Sequence, residues 1–318
     1  MKNIYLNIYR PNLHNLKKAK KFIENNNIIG LPTETVYGLA GNAYSSVAVK
    51  KIFSLKKRPM HNPLIVHYHD LSTLKNDCVL NKNFFLLYKK FCPGPLTFVL
   101  KLKKKTKISK FVNNKKKIVA VRFPKHPIIK SLLKKLKYPL AAPSANISTK
   151  LSAVKALDVQ EEFGNKVKFI LDGGRCNIGL ESTIINLVGK PKILRLGGLE
   201  VSKIRKIIKE EITININPSK KNAPGQSKLH YSPGIPLEMN KKYAKKNQAL
   251  ICLGKKFKSS KNHFNLSKSG NLKEAANNLY KTMREIKKRN FKSIAVVKIP
   301  NKKIGYAIND RLMKASNK

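Results

Sequence analysis

The amino-acid sequence predicts a mixed α/β fold of the α+β type, followed by a second, smaller α/β domain. Three observations lead to this prediction. Short strand-like segments outnumber long helices in residues 1–214, periodicity is absent from 215–236, and a strand–helix–strand–helix pattern fills 237–318. The length of 318 residues also suits two domains. We therefore divide the chain at these boundaries into a first domain, a linker and a small C-terminal domain.

The elements of the first domain follow from apolar runs and their spacing. Runs bounded by Gly, Pro or charged residues predict strands at 27–32, 63–67, 96–102, 118–123, 140–142, 167–171, 183–187 and 193–196. Helical spacing predicts a helix that is capped by Ser45 or Ser46 and ends before Pro59. The same spacing predicts further helices at 84–91, 128–136 and 200–211.

The linker and the C-terminal domain differ in composition. Asn, Pro, Ser, Lys and Gly dominate 215–236, which is typical of a linker. Beyond it, strand-like runs at 249–254 and 294–299 alternate with helical patterns at 271–288 and 307–315. Because strands joined by helices usually run parallel, we expect a small α/β domain with a parallel sheet.

The charge of the chain is extreme, with 67 Lys and Arg residues against 16 Asp and Glu and a formal net charge of +51. Such a charge would normally indicate a nucleic-acid-binding protein. Here Lys, Asn and Ile are over-used together along the whole chain, as an AT-rich genome would produce. The charge is therefore weak evidence for function, although it will attract polyanions such as ATP and tRNA at low salt.

Several classes of protein are disfavoured by what the sequence lacks. No apolar run approaches the roughly 18–20 residues of a membrane helix, and residues 1–11 do not form the pattern of a signal peptide. The cysteines include no CxxC pair, which argues against a zinc ribbon and a disulfide framework. We therefore expect no membrane association and a location in the reducing cytoplasm.

Familiar catalytic motifs are also missing, and polar residues gather instead at the ends of predicted strands. There is no GxSxG, HExxH, GxxxxGK[ST] or GxGxxG sequence. Thr33 and Thr35, close to Gly38, would face the same side of an extended segment and could bind a small ligand. Threonine also packs in sheets because of its β propensity, so a purely structural role stays open.

Two further clusters have the composition of phosphate or nucleotide contacts. Lys56 and Arg58, followed by Asn62, could clamp a phosphate. Basic residues at a helix C-terminus also stabilise the helix dipole, which is the alternative. Ser144 and Asn146 follow a predicted strand and could either cap a helix or contact a nucleotide.

Isolated charged residues in apolar strands form the last group of candidates. Arg122 has no acidic neighbour in sequence, and a buried charge is costly unless it is paired. Its partner could be a ligand carboxylate or a distant Glu or Asp. His67 has a similar position at a strand end, and Ser182 and Arg195 are also polar residues at the ends of predicted apolar strands. Tyr231 lies in a Pro- and Gly-bounded part of the linker, which is a candidate lid.

In their order and spacing these motifs resemble the YrdC-type threonylcarbamoyl-AMP synthases, in the long form with a C-terminal domain. The resemblance covers nearly the whole chain and rests on LPTETVYGL, the KxR of Lys56 and Arg58, NPLIVH, CPGPLTFVL, VAVRFP, the SxN of Ser144 and Asn146, LDGG, ESTI, ILRLGG, HYSP and GYAINDRL. One departure is the pair Thr149-Lys150, which follows Ser148 where the family often has a glycine. The resemblance implies a YrdC-like twisted mixed sheet and a small Rossmann-like C-terminal domain, joined by a long linker.

The resemblance also implies an activity. Such enzymes make L-threonylcarbamoyladenylate from L-threonine, bicarbonate and ATP and release pyrophosphate, which is the first step of tRNA N6-threonylcarbamoyladenosine modification. A transferase complex then carries the group to tRNA, and direct contact of the synthase with tRNA or dsRNA stays open. Magnesium would accompany ATP and be held mostly by phosphates and water.

Residue roles follow from the same resemblance. The L-threonine side is expected to contain Thr35, His67, Arg122 and Ser182, with Arg122 holding the carboxylate. The ATP side is expected to contain Arg58, Asn62, Ser144, Asn146, Ser152, Arg195 and Tyr231. Lys56 and Arg58 are the expected catalytic pair. Because the nucleophile belongs to the substrate, the enzyme needs only to position reactants and neutralise charge.

Two other functions remain as alternatives. The first is an RNA-binding module of the same fold without synthase activity, which would bind RNA and show no turnover. The second is a hydrolytic member of the fold that acts on adenylates or carbamoyl groups. Pyrophosphate release that depends on L-threonine distinguishes the synthase from both.

Overall fold

The computed structural model describes residues 7–216, 224–225, 230–257 and 260–316. Much of the predicted linker, 217–223 and 226–229, thus lies outside the described residues. None of the helices within the described ranges is long and apolar enough to cross a bilayer.

The helices of the described chain are amphipathic and mostly short. Asn12 accepts a hydrogen bond from the Asn15 backbone N–H at 2.8 Å and so begins the first helix. The bounds are α1 (Leu13–Glu24), α2 (Ser46–Leu55), α3 (Leu71–Asp77), α4 (Lys82–Phe91), α5 (Pro127–Lys134), α6 (Ala156–Phe163), α7 (Val201–Arg205), α8 (Leu272–Lys288) and α9 (Gly305–Ser316).

One large mixed sheet forms the first domain. Its strands are β1 (Ile8–Tyr9), β2 (Ile29–Leu31), β3 (Gly38–Asn42), β4 (Ile65–His67), β5 (Cys78–Val79), β6 (Leu96–Leu102), β7 (Ile118–Arg122), β8 (Leu140–Ala141), β9 (Ile170–Leu171), β10 (Thr183–Asn186), β11 (Lys192–Arg195) and β12 (Thr213–Ile214). They lie in the order β1-β9-β2-β3-β8-β4-β7-β6-β10-β11-β12, with β5 paired to β6. The strands β4 and β7 run parallel, whereas β6 and β7 run antiparallel. The mixed-sheet prediction is confirmed.

The register of the central strands decides where polar side chains meet. In the parallel pair β4–β7, His67 is opposite Arg122. In the antiparallel pair β6–β7, Thr97 is also opposite Arg122. Because these residues stand at strand ends, the sheet brings them to one edge, with the apolar parts of the same strands buried in the core beside them.

The C-terminal part folds around a second sheet, which is entirely parallel. Its strands are β13 (Leu237–Glu238), β14 (Gln248–Cys252), β15 (His263–Asn265) and β16 (Ser293–Val296), in the order β13-β16-β14-β15. The helix α8 buries an apolar face that includes Leu279, Met283 and Ile286. The parallel α/β prediction is confirmed, although β13 and β15 are too short to stand out in the sequence.

Some local predictions were wrong, and each has a physical reason. The helix predicted at 200–211 ends at Arg205, because the chain must turn there to place β12 beside β11. Thr33 and Thr35 lie in a bend and not in an extended segment. The Thr33 hydroxyl accepts hydrogen bonds from the backbone N–H groups of Thr35 and Val36, at 3.1 and 3.2 Å, and so holds the bend.

The departure at Thr149 has a structural counterpart. This residue has a φ of 73°, in the left-handed region that favours glycine. Its carbonyl accepts a 2.8 Å hydrogen bond from the backbone N–H of Ser232. Through this hydrogen bond, the turn at Thr149 contacts the chain directly after Tyr231.

Candidate active site

A cavity of about 40 Å³ lies where the polar strand ends of the large sheet meet the described parts of the linker. Its walls come from the 33–38 bend, β4, β7, the turn after β8, β11 and the linker residues. The polar and aromatic side chains that line it are Thr33, Tyr37, Arg58, His67, Arg122, Ser144, Glu181, Arg195, His230 and Tyr231.

Arg122 lies in the cavity wall and is paired with an acidic residue. Its Nη2 donates a 2.7 Å hydrogen bond to Oε1 of Glu34, and its Nε donates to the Gly94 carbonyl at 3.3 Å. Of the two partners left open for Arg122, the distant acidic residue is therefore present, and it is Glu34. Burial alone would raise the pKa of Glu34, but the charge and hydrogen bond of Arg122 lower it below its usual value.

Arg58 also lines the cavity, and its orientation is fixed by its own loop. Its Nε donates to the Asn62 carbonyl at 2.9 Å, and its Nη2 donates to Oδ1 of Asn62 at 2.5 Å and to the Pro63 carbonyl at 2.8 Å. Burial and repulsion from Arg195 lower its pKa to about 9. Asn62 therefore acts from behind the wall by holding Arg58.

Lys56 does not line the cavity, although it was predicted to act beside Arg58. Its ammonium donates to the backbone carbonyl of Ser144 at 2.5 Å and to that of Asn146. Burial and the charge of Arg58 lower its pKa well below the usual value. The amide of Asn146 is itself turned to the carbonyls of Ile147 and Lys150. Of this group, Ser144 lines the cavity.

Arg195 approaches the cavity from β11. Its Nε and Nη2 donate to the carbonyl and the hydroxyl of Ser182, at 3.0 and 3.1 Å, and its Nη1 donates to the Pro224 carbonyl at 3.4 Å. Ser182 is fully buried and shares a 2.7 Å hydrogen bond with the hydroxyl of Thr97. Ser182 thus lies behind Arg195 and sets its direction.

His67 carries a neutral imidazole at neutral pH. Burial and the neighbouring charge of Arg122 lower its pKa to about 3. Its Nδ1 is buried and has no hydrogen-bond partner among the described residues. A neutral imidazole can donate and accept hydrogen bonds, so His67 is suited to contact a polar ligand. Thr35 lies behind Thr33, with 2.8 Å between their hydroxyl oxygens, and Thr33 lines the cavity in its place.

The described residues of the linker close one side of the cavity. Tyr231 is buried, and its ring lies 4.0 Å from that of His230 and 5.9 Å from that of Tyr280 on α8. Burial lowers the pKa of His230 to about 3. A Cβ added to Gly225 would lie 2.8 Å from the Arg195 side chain and 2.9 Å from the Tyr231 hydroxyl. The absence of a side chain at Gly225 therefore lets the linker approach Arg195.

Glu181 also lines the cavity and was not among the predicted site residues. Ser152, predicted for the ATP side, donates a 2.5 Å hydrogen bond to its Oε1. The arginines that pair with Glu34 and Glu181 lie far away in sequence, so apolar patterns could not mark either glutamate as a site residue. The only signal in the sequence is that they fall in the motifs LPTETVYGL and ESTI. Nowhere in the described ranges do three His, Cys, Asp or Glu side chains form a metal-binding group.

Comparisons with known proteins show which family this chain resembles. Residues 21–197 match the family model described as "Telomere recombination" (Sua5_yciO_yrdC), and 199–317 match "Threonylcarbamoyl-AMP synthase, C-terminal domain". The threonylcarbamoyl-AMP synthase of Pyrococcus abyssi is 36% identical over 95% of this chain and 94% of its own. That of Bacillus subtilis is 34% identical over 95% and 92%.

A solved structure agrees with these relatives. The crystal structure of P. abyssi Sua5 complexed with L-threonine has a TM-score of 0.88 and 33% identity, and the match covers 98% of this chain and 97% of that one. The fold, the two matched domains and the sequence similarity therefore all indicate the same family. The chain belongs to the threonylcarbamoyl-AMP synthase family, in the Sua5-type long form that carries the C-terminal domain.

Proposed function

We propose that the chain makes threonylcarbamoyl-AMP from L-threonine, bicarbonate and ATP and releases pyrophosphate. One observation carries the proposal: three buried arginines, Arg58, Arg122 and Arg195, line a single cavity together with the neutral His67. Such a wall suits a ligand with several negative charges, of which a nucleoside triphosphate and an amino-acid carboxylate are examples. The P. abyssi relative with bound L-threonine supports the same choice.

The proposed chemistry needs no nucleophile from the protein. The amine of L-threonine bonds to the carbon of bicarbonate, and water leaves to give a carbamate. A carbamate oxygen then bonds to the α-phosphorus of ATP. The bond from that phosphorus to the bridging oxygen breaks, and pyrophosphate leaves with the electron pair. The protein orients the two substrates, neutralises phosphate charge and keeps water from the labile products.

On the L-threonine side we assign the carboxylate to Arg122. Glu34 already occupies Nη2 and the Gly94 carbonyl faces Nε, so the fork still offers Nη1 to a ligand. His67, with its neutral ring, is assigned to a polar group of the amino acid. Thr35 and Ser182 support this side from behind, through the hydroxyls of Thr33 and Thr97.

On the ATP side we assign phosphate contacts to Arg58 and Arg195, and nucleotide contacts to Ser144 and Tyr231. Arg58 and Arg195 line the same cavity, and burial together with repulsion from Arg195 lowers the pKa of Arg58, which supports their action on one polyanion. Behind these groups, Lys56 holds the backbone carbonyls of Ser144 and Asn146, and Asn62 holds Arg58. Ser152 holds Glu181, which also lines the cavity.

Magnesium is assigned to the substrate and not to a protein site. The two carboxylates closest to the arginines, Glu34 and Glu181, are each engaged by an arginine. They are therefore poor ligands for a cation. We propose that magnesium arrives with ATP and is held by phosphates and water.

We also propose that the product is passed on to a tRNA-modifying transferase in the cytoplasm. The described cysteines Cys78, Cys92, Cys176 and Cys252 are all unpaired thiols, which supports a reducing compartment. The carbamoyl–adenylate is a mixed anhydride that water destroys. A reaction that consumes it by group transfer must therefore follow closely.

The proposed function is tested by one assay with omitted substrates. Purified protein is incubated with magnesium and ATP, with and without L-threonine and bicarbonate, and pyrophosphate is measured. We expect release only when both are present. Release of phosphate or pyrophosphate without L-threonine would support a hydrolase instead, and RNA binding without turnover would support the RNA-binding module.

A further inference from the structure

The last helix of the C-terminal domain reaches the wall of the cavity. Arg311 on α9 is completely buried. Its Nε donates to Oε2 of Glu181 at 2.9 Å, and its Nη2 donates to the Leu196 carbonyl at 2.8 Å. Asp310 accepts from its Nη1 at 2.5 Å. One guanidinium thus contacts the carboxylate of a cavity-lining residue and the backbone directly after Arg195.

The same helix also holds the linker side of the cavity. The Arg311 guanidinium lies 4.7 Å from the centre of the Tyr231 ring, in a cation–π arrangement. Lys314, one turn further on, donates to the Gly225 carbonyl at 2.9 Å and forms an ion pair with Asp310 at 2.8 Å. The helix α9 therefore contacts both walls between which the nucleotide is proposed to bind.

The carboxylate of Glu181 is contacted from both domains. Ser152 of the first domain donates a hydrogen bond to it. The Tyr280 hydroxyl on α8 lies 3.2 Å from its Oε1 and 3.1 Å from its Oε2. Burial would raise the pKa of Glu181, but the charges of Arg311 and Arg195 lower it to about 2. The next residue, Ser182, sets the direction of Arg195. Arg311 and Arg195 therefore contact two adjacent residues, Glu181 and Ser182.

We propose that Arg311 is a positioning residue for ATP binding, through its hold on Glu181, on the Leu196 carbonyl and on the ring of Tyr231. It does not line the cavity. Instead it fixes Arg195 and Tyr231 relative to each other, so the C-terminal domain completes the ATP side. The choice of ATP as the ligand rests on the proposed function.

A merely structural role predicts a different result, and the chain offers a matched control. Arg284 on α8 crosses the same domain interface, where its Nη2 donates to the Leu151 carbonyl at 2.6 Å, and it does not line the cavity. If Arg311 acts only by docking the domains, Arg284→Gln should weaken ATP binding as much as Arg311→Gln does.

The experiment compares full-length wild type with Arg311→Gln, Arg311→Lys, Tyr280→Phe and Arg284→Gln. ATP affinity is measured by titration calorimetry without L-threonine, and KM values for ATP and L-threonine come from pyrophosphate release. We expect Arg311→Gln to weaken ATP binding and raise its KM by about tenfold, the scale of a lost hydrogen bond to a charged group. The KM for L-threonine should change by no more than about twofold, and Arg311→Lys should recover part of the loss.

The variants also guard against misfolding and against failure of the proposed function. If Arg311→Gln does not fold, Arg311→Lys carries the test, because it keeps most of the packing. Tyr280→Phe removes a hydrogen bond to Glu181 but keeps the contacts of Arg311, so it measures the effect of Glu181 alone. Wild-type ATP affinity in folded Arg311→Gln or Arg311→Lys, or equal losses in Arg284→Gln, would overturn the inference. A wild type that binds ATP but releases no L-threonine-dependent pyrophosphate would overturn the proposed function instead, and the calorimetric comparison would still decide the role of Arg311.

Discussion

Arg122 donates a 2.7 Å hydrogen bond to Glu34, a residue 88 positions earlier in the chain, and both side chains are buried. The pair fixes the guanidinium before any ligand arrives. Under the proposed assignment, a ligand carboxylate shares Arg122 with Glu34 and is not its sole counter-ion. This changes how Arg122 should be tested, because removing it would leave a buried carboxylate without its partner, at a cost of about 3–5 kcal/mol.

The first prediction concerns Arg122→Lys, which keeps the charge beside Glu34. We expect L-threonine-dependent pyrophosphate release to fall roughly 100-fold, because an ammonium cannot serve Glu34 and a ligand carboxylate in the geometry of the fork. ATP affinity should stay near wild type. Arg205→Lys, outside the cavity, is the matched control. A folded Arg122→Lys protein with an unchanged KM for L-threonine would refute the carboxylate assignment.

The second prediction concerns the phosphate contacts. Arg58→Ala should lower kcat/KM for ATP by the equivalent of ~2–4 kcal/mol, the scale of one preorganised donor. Lys56→Ala should also slow turnover, through loss of its hold on the 144–146 turn. The exposed neighbour Lys57, changed to Gln, is the control. Unchanged turnover in the variants of both Lys56 and Arg58 would leave the helix dipole as their role.

The third prediction is a pH dependence of stability. The pKa of His67 is lowered from 6.5 to about 3 by burial and the charge of Arg122. On acidification the unfolded chain takes up this proton near pH 6.5, whereas the folded chain does so only near pH 3. The free energy of unfolding should therefore fall between these values, by up to about 1.4 kcal/mol per pH unit from this residue.

Urea unfolding at pH 7, 6 and 5 measures this slope. The buried His230, with a pKa of about 3, adds a second contribution of the same sign. His67→Gln should flatten the pH dependence relative to wild type, with exposed His61→Gln as the control. A His67→Gln protein with the full wild-type slope would show that folding does not lower the pKa of His67.

The fourth prediction concerns the turn at Thr149. Because its φ is 73°, Thr149→Gly should raise the free energy of unfolding by about 0.5–1 kcal/mol, the relief of left-handed strain exceeding the entropy cost of glycine. Ser148, whose φ is not positive, provides the contrast, and Ser148→Gly should be destabilising. Loss of stability in Thr149→Gly would mean that the threonine side chain itself supports the turn.

Local sequence patterns predicted many of the helices and strands of this fold. The pairing of residues that are distant in sequence could not be predicted from such patterns. Apolar spacing found α8, for which the prediction of 271–288 compares with Leu272–Lys288 in the structure. It missed α1, whose lysine-rich face leaves few apolar positions. The sequence also placed His67 and Arg122 at strand ends, but their meeting depends on the β4–β7 register.

The residues of the candidate site were likewise predicted in part from local patterns and in part not at all. Its basic residues could be picked out because a charge in an apolar strand is conspicuous. Their acidic partners could not, since Glu34 and Glu181 are set against Arg122 and Arg311 by the fold alone. For that reason Lys56, Asn62 and Ser152 were predicted as ligand contacts, whereas in the structure they hold the groups that line the cavity. Whether each contacts substrate stays a prediction.

Arg58 and Arg195 repel each other across the cavity, and their described hydrogen bonds go to uncharged acceptors. The carboxylate of Glu181 also lines this cavity, but it is paired with Arg311, so the cavity wall keeps an excess of positive charge that a bound polyanion would neutralise. A bound polyanion becomes part of the folding equilibrium, and one present at 100 times its Kd adds about 2.7 kcal/mol to stability. Pyrophosphate, the leaving group of the proposed reaction, should therefore also raise the Tm, so that the product of each turnover stabilises the fold as well.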